Sequence, residues 1–147
     1  MNTRGLAPHI GRVITAYESL TPATLAGLVS VYAEDARFID PFNDVRGHGA
    51  LRSVFEHMFE ALDAPRFQIV DALGDAAQAF LTWDFSFRRR GHDETLTIRG
   101  ASHLHFDTKG RVTLHRDYWD AAQQVYERVP LLGALLRWLR RRLAAQV

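Results

Sequence analysis

The spacing of the apolar residues changes after Pro65, and this change constrains the fold more than any other feature of the sequence. Before Pro65, apolar residues recur at helical spacing, which is typical of helices with one buried face. After Pro65 they alternate with polar residues, which is typical of half-buried strands in an antiparallel sheet. Helices that come first and a meander of strands that comes second predict an α+β domain.

Three helices and one short strand are predicted before the change. The first helix covers residues 9–20. The second helix begins at Thr21 and Pro22 and ends at Tyr32. Thr21 followed by Pro22 is typical of an N-cap followed by proline at the first helical position. A short strand, residues 36–41, comes next. The third helix, in the run ALRSVFEHMFEAL, has an apolar face that consists of Leu51, Val54, Phe55, Met58, Phe59 and Leu62.

Three strands are predicted after the change, at residues 79–88, 95–107 and 111–119. The segments RRRGHDE and DTKG between them are typical turns. In the last strand Val112 and Leu114 share one face, whereas His115, Asp117 and Trp119 share the other. A β-bulge would exchange the two faces partway along the strand, and bulges are frequent beside active sites.

The segment FIDPF places an acid between large apolar side chains. Pro41 favours an extended backbone at Asp40, so alternation would point Asp40 the same way as Phe38. A carboxylate that faces a core is costly unless it has a function or a partner. Asp40 is therefore a candidate base, and the alternative is an Asp-Pro turn at a rim, hydrogen-bonded to backbone amides.

The order of these elements, with YAEDARFIDPF before the third helix and FDTKGRVTLHRDYWD at the last strand, resembles the nuclear transport factor 2-like superfamily. Within it, the sequence is most similar to ketosteroid isomerase and the SnoaL-like polyketide cyclases, over residues 9–122. The resemblance implies a cone-shaped α+β barrel, in which N-terminal helices pack on a curved, mostly antiparallel sheet around a deep apolar pocket. It divides the chain into a domain at residues 1–128 and a basic amphipathic C-terminal helix at 129–147.

The resemblance also assigns roles to individual residues. The isomerase segment ends in Asp-Pro, which implies that Asp40 moves the proton. Tyr17 falls near the tyrosine that holds the developing oxyanion, although a core tyrosine is the alternative. Ser102 falls where the isomerase has a protonated aspartic acid, and a serine hydroxyl is a poorer donor. This difference disfavours steroid isomerisation.

The last strand offers replacements for the lost donor. On the register of the family His115, Asp117 and Trp119 point into the pocket, and the imidazole and the carboxylate would supply a second acid or stabilise charge. The alternative for His115 and Asp117 is a solvated pair on the outer face. One serine and several aromatic side chains are predicted to contact the substrate: Trp83, Phe85, Ser102, Trp119, Phe55 and Phe59. For the aromatic side chains, a place in the ordinary hydrophobic core is the alternative.

No metal site and no cofactor are predicted. The chain has no cysteine, which excludes disulfides, thiolate catalysis and Cys-based zinc sites. His103 and His105 share a strand face, but the sequence places no third ligand beside them. We expect both on the outer face of the sheet, where such sheets commonly meet a second subunit, and we predict a homodimer through that face.

Five arginines and no acids lie from Arg128 to Val147, so this tail carries +5 of a chain whose net charge is +1. The predicted basic amphipathic helix would pack over the pocket mouth of its own or a second subunit, with attachment to an anionic membrane or a partner as the alternative. Nucleic acid is not an expected partner, because no second basic patch tracks phosphates. A cytoplasmic location follows by default, since no run resembles a signal peptide.

These observations predict an enzyme that performs acid/base chemistry on a small apolar substrate, cyclic or carbonyl-bearing, as an isomerase, a cyclase or a hydrolase. The alternative is a non-catalytic module that binds a hydrophobic small molecule. The Ser102 difference favours that alternative.

Overall fold

One six-stranded sheet, covered by helices on one face, organises the chain. The computed structural model describes residues 3–124 and 132–144. The strands are β1 (Tyr32–Ile39), β2 (Asp44–Arg46), β3 (Leu62–Gly74), β4 (Gln78–Arg89), β5 (Thr95–Phe106) and β6 (Val112–Tyr118), in the spatial order β2-β1-β6-β5-β4-β3. The helices are α1 (Pro8–Glu18), α2 (Leu25–Ser30), α3 (His48–Ala61), α4 (Ala121–Gln124) and α5 (Leu132–Leu143).

The predicted α+β class is confirmed. The sheet is mostly antiparallel, and β1 pairs in parallel with β6. The sheet is open, with β2 and β3 at its edges. The core lies between the inner face of the sheet and the apolar faces of α1, α2 and α3. None of the helices within residues 3–124 and 132–144 is long and apolar enough to cross a membrane.

The prediction for the second helix was wrong at both ends. Thr21 and Thr24 bond each other's backbone N–H through their side-chain oxygens, at 2.8 and 3.3 Å, and this turn delays the start of α2 to Leu25. At the other end Val112 donates its N–H to the carbonyl of Val31 at 2.9 Å, so Tyr32 already belongs to β1.

The strands predicted from alternation are confirmed, with small shifts at their ends. The buried residues of β4 and β5 include Leu81, Trp83, Ile98 and Leu104. β3 begins before the predicted change at Pro65, and its pairing with β4 shifts register between Asp63 and Arg66. A shift there is expected, because proline has no N–H for the ladder.

The predicted bulge in the last strand is confirmed at Thr113. Leu114 pairs with His105 and Val112 with Phe106, so Thr113 is the additional residue. Val112 is buried before the bulge and His115 is buried after it. The bulge therefore exchanges the faces of β6 and directs the odd-numbered residues after it to the interior.

Candidate functional site

A cavity of about 600 Å³ lies between α3 and the inner face of the sheet. Its walls are mostly apolar and include Phe38, Phe55, Phe67, Trp83, Phe85 and Trp119. A cavity of this size and lining suits a small apolar molecule.

A buried histidine is the centre of the polar groups in this cavity. His115 on β6 is 3% exposed. Its Nδ1 lies 2.7 Å from the hydroxyl of Tyr32 and 3.4 Å from that of Tyr17. Its Nε2 lies 2.6 Å from Oδ1 of Asp117. Two tyrosines and a carboxylate therefore hold both nitrogens of one ring.

The carboxylate of Asp117 is fixed through one oxygen only. Trp83 Nε1 donates to Ser102 Oγ at 2.8 Å. Because the indole N–H can only donate, the hydroxyl hydrogen of Ser102 remains free for Asp117 Oδ1, 2.5 Å away. Oδ1 thus faces both Ser102 and His115, whereas Oδ2 accepts no hydrogen bond from any described residue.

This second oxygen is accessible to a ligand. No buried side-chain oxygen or nitrogen of the described residues lacks a hydrogen-bond partner, so the unbonded Oδ2 of Asp117 must be exposed. The side chain is 15% exposed, and it lines the cavity. Asp117 consequently offers one free acceptor to whatever occupies the cavity.

The two tyrosines stay protonated near neutral pH. Burial raises the pKa of Tyr17 well above its usual value, and the neighbouring Tyr32 and the charge of Asp117 raise it further. Burial also raises the pKa of Tyr32, although the hydrogen bond from Tyr17 opposes part of that rise. The two hydroxyls form a short hydrogen bond to each other. Both groups are therefore available as donors.

Asp40 lines the same cavity, but its carboxylate also holds a turn together. Oδ1 accepts the backbone N–H groups of Phe42 and Asn43, both at 2.7 Å. The amide of Asn43 donates to Oδ1 and Oδ2, each at 3.1 Å. This is the geometry that the alternative interpretation of the FIDPF segment describes.

The structure brings most of the predicted site residues together. Tyr17, Asp40, His115 and Asp117 all line the cavity. So do five of the six residues predicted to contact substrate, namely Trp83, Phe85, Ser102, Trp119 and Phe55. Phe59, on α3, does not line the cavity and packs against the hydrophobic core.

Sequence reasoning missed Tyr32 and Phe67. The sequence pattern assigns Tyr32 to the end of a helix, and that assignment gives no direction for its side chain. Its position at the start of the segment YAEDARF was the available signal. Phe67 stacks on Phe85 with ring centroids 4.5 Å apart, and it lies in β3, which was not predicted as a separate strand.

His103 and His105 lie on the other face of the sheet. His103 stacks on Phe80 with ring centroids 4.2 Å apart, and its Nε2 lies 2.9 Å from Gln78 Oε1. Within the described residues no group of three histidines or acids is arranged to hold a metal ion.

Comparison with known proteins identifies similar chains. The profile of a family described as SnoaL-like domain matches residues 13–115. No curated protein matches the sequence. A protein of ketosteroid isomerase-like fold from Catenulispora acidiphila, solved with trimethylamine, is 12% identical with a TM-score of 0.69, over 80% of this chain and 89% of that one.

Two further structures carry assignments in their names. A Shewanella putrefaciens protein assigned as a SnoaL-like polyketide cyclase is 18% identical with a TM-score of 0.68, over 81% of this chain and 93% of that one. An LEH-like epoxide hydrolase from M. tuberculosis is 16% identical with a TM-score of 0.64, over 90% of this chain and 93% of that one. At these identities the likeness shows a common fold.

Proposed function

The chain belongs to the SnoaL-like domain family, and on that premise we propose that it is an acid/base enzyme acting on a small apolar, carbonyl-bearing ring compound. Its membership of the nuclear transport factor 2-like superfamily, predicted from sequence, is confirmed. Structures of this fold include proteins assigned as a SnoaL-like polyketide cyclase and an LEH-like epoxide hydrolase, which supports an enzyme that acts on a small molecule. The isomerase, cyclase and hydrolase types all remain within the proposal.

One observation carries the proposal, which is the half-engaged carboxylate of Asp117. Ser102 and His115 fix its Oδ1, and its Oδ2 is open to an apolar cavity. A base held in a fixed position removes a proton faster, because the cost of orienting it is met during folding. Apolar walls also keep competing water away from the reacting atoms.

The geometry favours Asp117 over Asp40 as the group that moves the proton. Asp40 accepts four hydrogen bonds that build its own turn. Asp117 accepts two and keeps one oxygen free. The proposal therefore gives proton transfer to Asp117 and leaves Asp40 the task of shaping the rim.

Deuterium exchange tests the proposal without knowledge of the natural substrate. The probe is 2-tetralone, a bicyclic ketone with acidic C–H bonds beside its carbonyl, and exchange into it in D₂O is followed by NMR. We expect exchange well above the buffer rate. The Asp117→Asn variant should lose about 10² to 10⁴ of the enzymatic rate, because it removes the base but keeps the shape.

Two variants serve as controls. Asp84→Asn changes an acid that pairs with Arg99 at 3.6 Å on the outer face of the sheet, and it should leave the rate unchanged. Asp40→Asn keeps an acceptor for the turn and should lose far less than Asp117→Asn. An unchanged exchange rate in Asp117→Asn would overturn the proposal. A large loss confined to Asp40→Asn would assign proton transfer to Asp40 instead.

A non-catalytic binding module is the second candidate. The apolar lining of the cavity and the engagement of Asp40 in its turn favour it. In that case 2-tetralone would bind, as measured by quenching of tryptophan fluorescence, without exchange above the buffer rate.

A further inference from the structure

Four side chains form one continuous hydrogen-bonded chain whose two ends both face the cavity. Tyr17 bonds Tyr32, Tyr32 lies 2.7 Å from His115 Nδ1, and His115 Nε2 lies 2.6 Å from Asp117. Tyr17 and Asp117 line the cavity, whereas Tyr32 does not. A buried link of two side chains thus joins two groups that a single ligand can touch.

The presence or absence of a hydrogen on Nδ1 of His115 decides in which direction this chain donates. When His115 is neutral with its hydrogen on Nε2, Nδ1 accepts from Tyr32, and Tyr32 in turn accepts from Tyr17. Tyr17 then has no hydrogen left for the cavity. When His115 is charged, Nδ1–H donates to Tyr32, Tyr32 donates to Tyr17, and the hydrogen of Tyr17 is directed to the ligand.

We propose that Tyr32 relays a proton between His115 and Tyr17, which makes Tyr17 the acid that pairs with Asp117 as base. This inference rests on the proposed function and specifies its substrate class. The substrate is an enolisable ketone whose carbonyl oxygen reaches Tyr17 while a C–H bond beside the carbonyl reaches Asp117 Oδ2. Tyr17 touches the substrate and is catalytic, whereas Tyr32 acts through Tyr17 and His115.

The step balances without any co-reactant. Asp117 Oδ2 takes the proton from carbon, the C–H electron pair forms the enol double bond, and the carbonyl oxygen takes the hydrogen of Tyr17. Tyr17 is reprotonated by Tyr32, and Tyr32 by Nδ1–H of His115. The charged His115 and Asp117 both become neutral. The return step delivers the hydrogen of Asp117 to the same or another carbon and sends the enol hydrogen back along the chain.

The Tyr32→Phe variant tests the relay, since it removes one hydroxyl that does not touch the cavity. We expect the exchange rate of 2-tetralone to fall about 10- to 100-fold, the effect of losing a hydrogen bond to a charged group. Tyr118→Phe is the matched control, because Tyr118 is 56% exposed on the same strand as His115. Its rate should not change.

Binding separates a broken relay from a damaged cavity. The affinity for naphthalene, which has no oxygen, should be unchanged in Tyr32→Phe. The affinity for 2-naphthol, a planar mimic of the enol, should fall relative to naphthalene in Tyr17→Phe and Tyr32→Phe. Equal losses for both compounds would show that Tyr32 is only structural and would overturn the relay.

Nitrogen NMR of the His115 ring reads the relay independently of turnover, with the resonance assigned through His115→Gln. Binding of 2-naphthol should shift Nδ1 in the wild type and leave it unshifted in Tyr17→Phe and Tyr32→Phe. An Nδ1 that does not respond in the wild type would overturn the relay. A rate that falls in Asp117→Asn but not in Tyr32→Phe would overturn the relay and leave the proposed function intact.

Discussion

Ser102 shows how one residue difference changes the task of a position. The resemblance to ketosteroid isomerase implies an acid there that donates to the substrate. Here the serine accepts from Trp83 and donates to Asp117, so it orients the proposed base. The position no longer supplies an acid that donates to the substrate, but the Ser102 hydroxyl fixes one oxygen of the Asp117 carboxylate.

The absence of a side chain at Gly100 leaves space for Trp83 and Trp119. A Cβ at this position would lie 2.4 Å from Cη2 of Trp83 and 3.0 Å from Cβ of Trp119. We expect Gly100→Ala to lower the free energy of unfolding by about 1–3 kcal/mol, because the indole must move. The shift of Trp83 would also weaken its hydrogen bond to Ser102. Urea denaturation and 2-tetralone exchange measure the two effects.

Gly27→Ala is the matched control for that substitution. Gly27 lies inside α2, and nothing lies within 4 Å of a Cβ built there. Alanine should raise the free energy of unfolding by up to about 1 kcal/mol, since it suits a helix better than glycine. Equal stability of the two alanine variants would contradict the close contact of Gly100 with Trp83.

At the scale of secondary structure elements, periodicity predicted α3, β4 and β5 because each buries one face over many residues. It failed at the junction of α2 and β1, where local bonds between Thr21 and Thr24 and pairing with β6 overrode the pattern. Because the pattern extends the helix to Tyr32, it gives no indication that the Tyr32 hydroxyl reaches His115. The turn at Asp40 was not decidable from sequence, because it depends on the direction of the Asn43 amide.

The C-terminal helix exposes an apolar stripe that ordinary packing would cover. Leu135, Trp138, Leu139 and Leu143 are 53%, 49%, 40% and 83% exposed. The guanidinium of Arg142 lies 5.6 Å from the Trp138 ring. Arginines, leucines and a tryptophan on one short helix are typical of helices that lie at the surface of an anionic membrane.

We therefore expect the protein to sediment with phosphatidylglycerol vesicles and not with phosphatidylcholine vesicles, and to dissociate as salt screens the charges. Leu135→Glu with Leu139→Glu should abolish sedimentation. Leu73→Glu, which changes an exposed leucine of β3, is the control and should not. Sedimentation that ignores the vesicle charge would contradict membrane attachment, and a change of oligomeric state in the double variant would assign α5 to a protein contact.

On the scale of the whole molecule, the outer face of the sheet carries apolar side chains. Leu73 pairs with Phe80 across β3 and β4, and these residues are 63% and 44% exposed. Tyr118 on β6 is 56% exposed. Large apolar groups gathered on one exposed face are typical of a surface that meets a partner, and the homodimer through this face stays a prediction.

Light scattering after size exclusion tests this prediction. We expect a dimer in the wild type and a monomer in Phe80→Lys, because a charge placed on this apolar face has no partner across it. Leu143→Lys adds the same charge on α5 and should leave the dimer intact. A wild type that elutes as a monomer would contradict the homodimer.

The partners on β5 decide which side chains of the last strand face inward beyond the additional residue Thr113. A chain without that residue would keep Val112 opposite Phe106 and Leu114 opposite His105, so the imidazole and the carboxylate would keep the same neighbours and the same direction. Their position depends on the register between the two strands and not on the number of residues in the bulge. Evolution can therefore change the length of the chain at this point and leave the chamber with both polar groups.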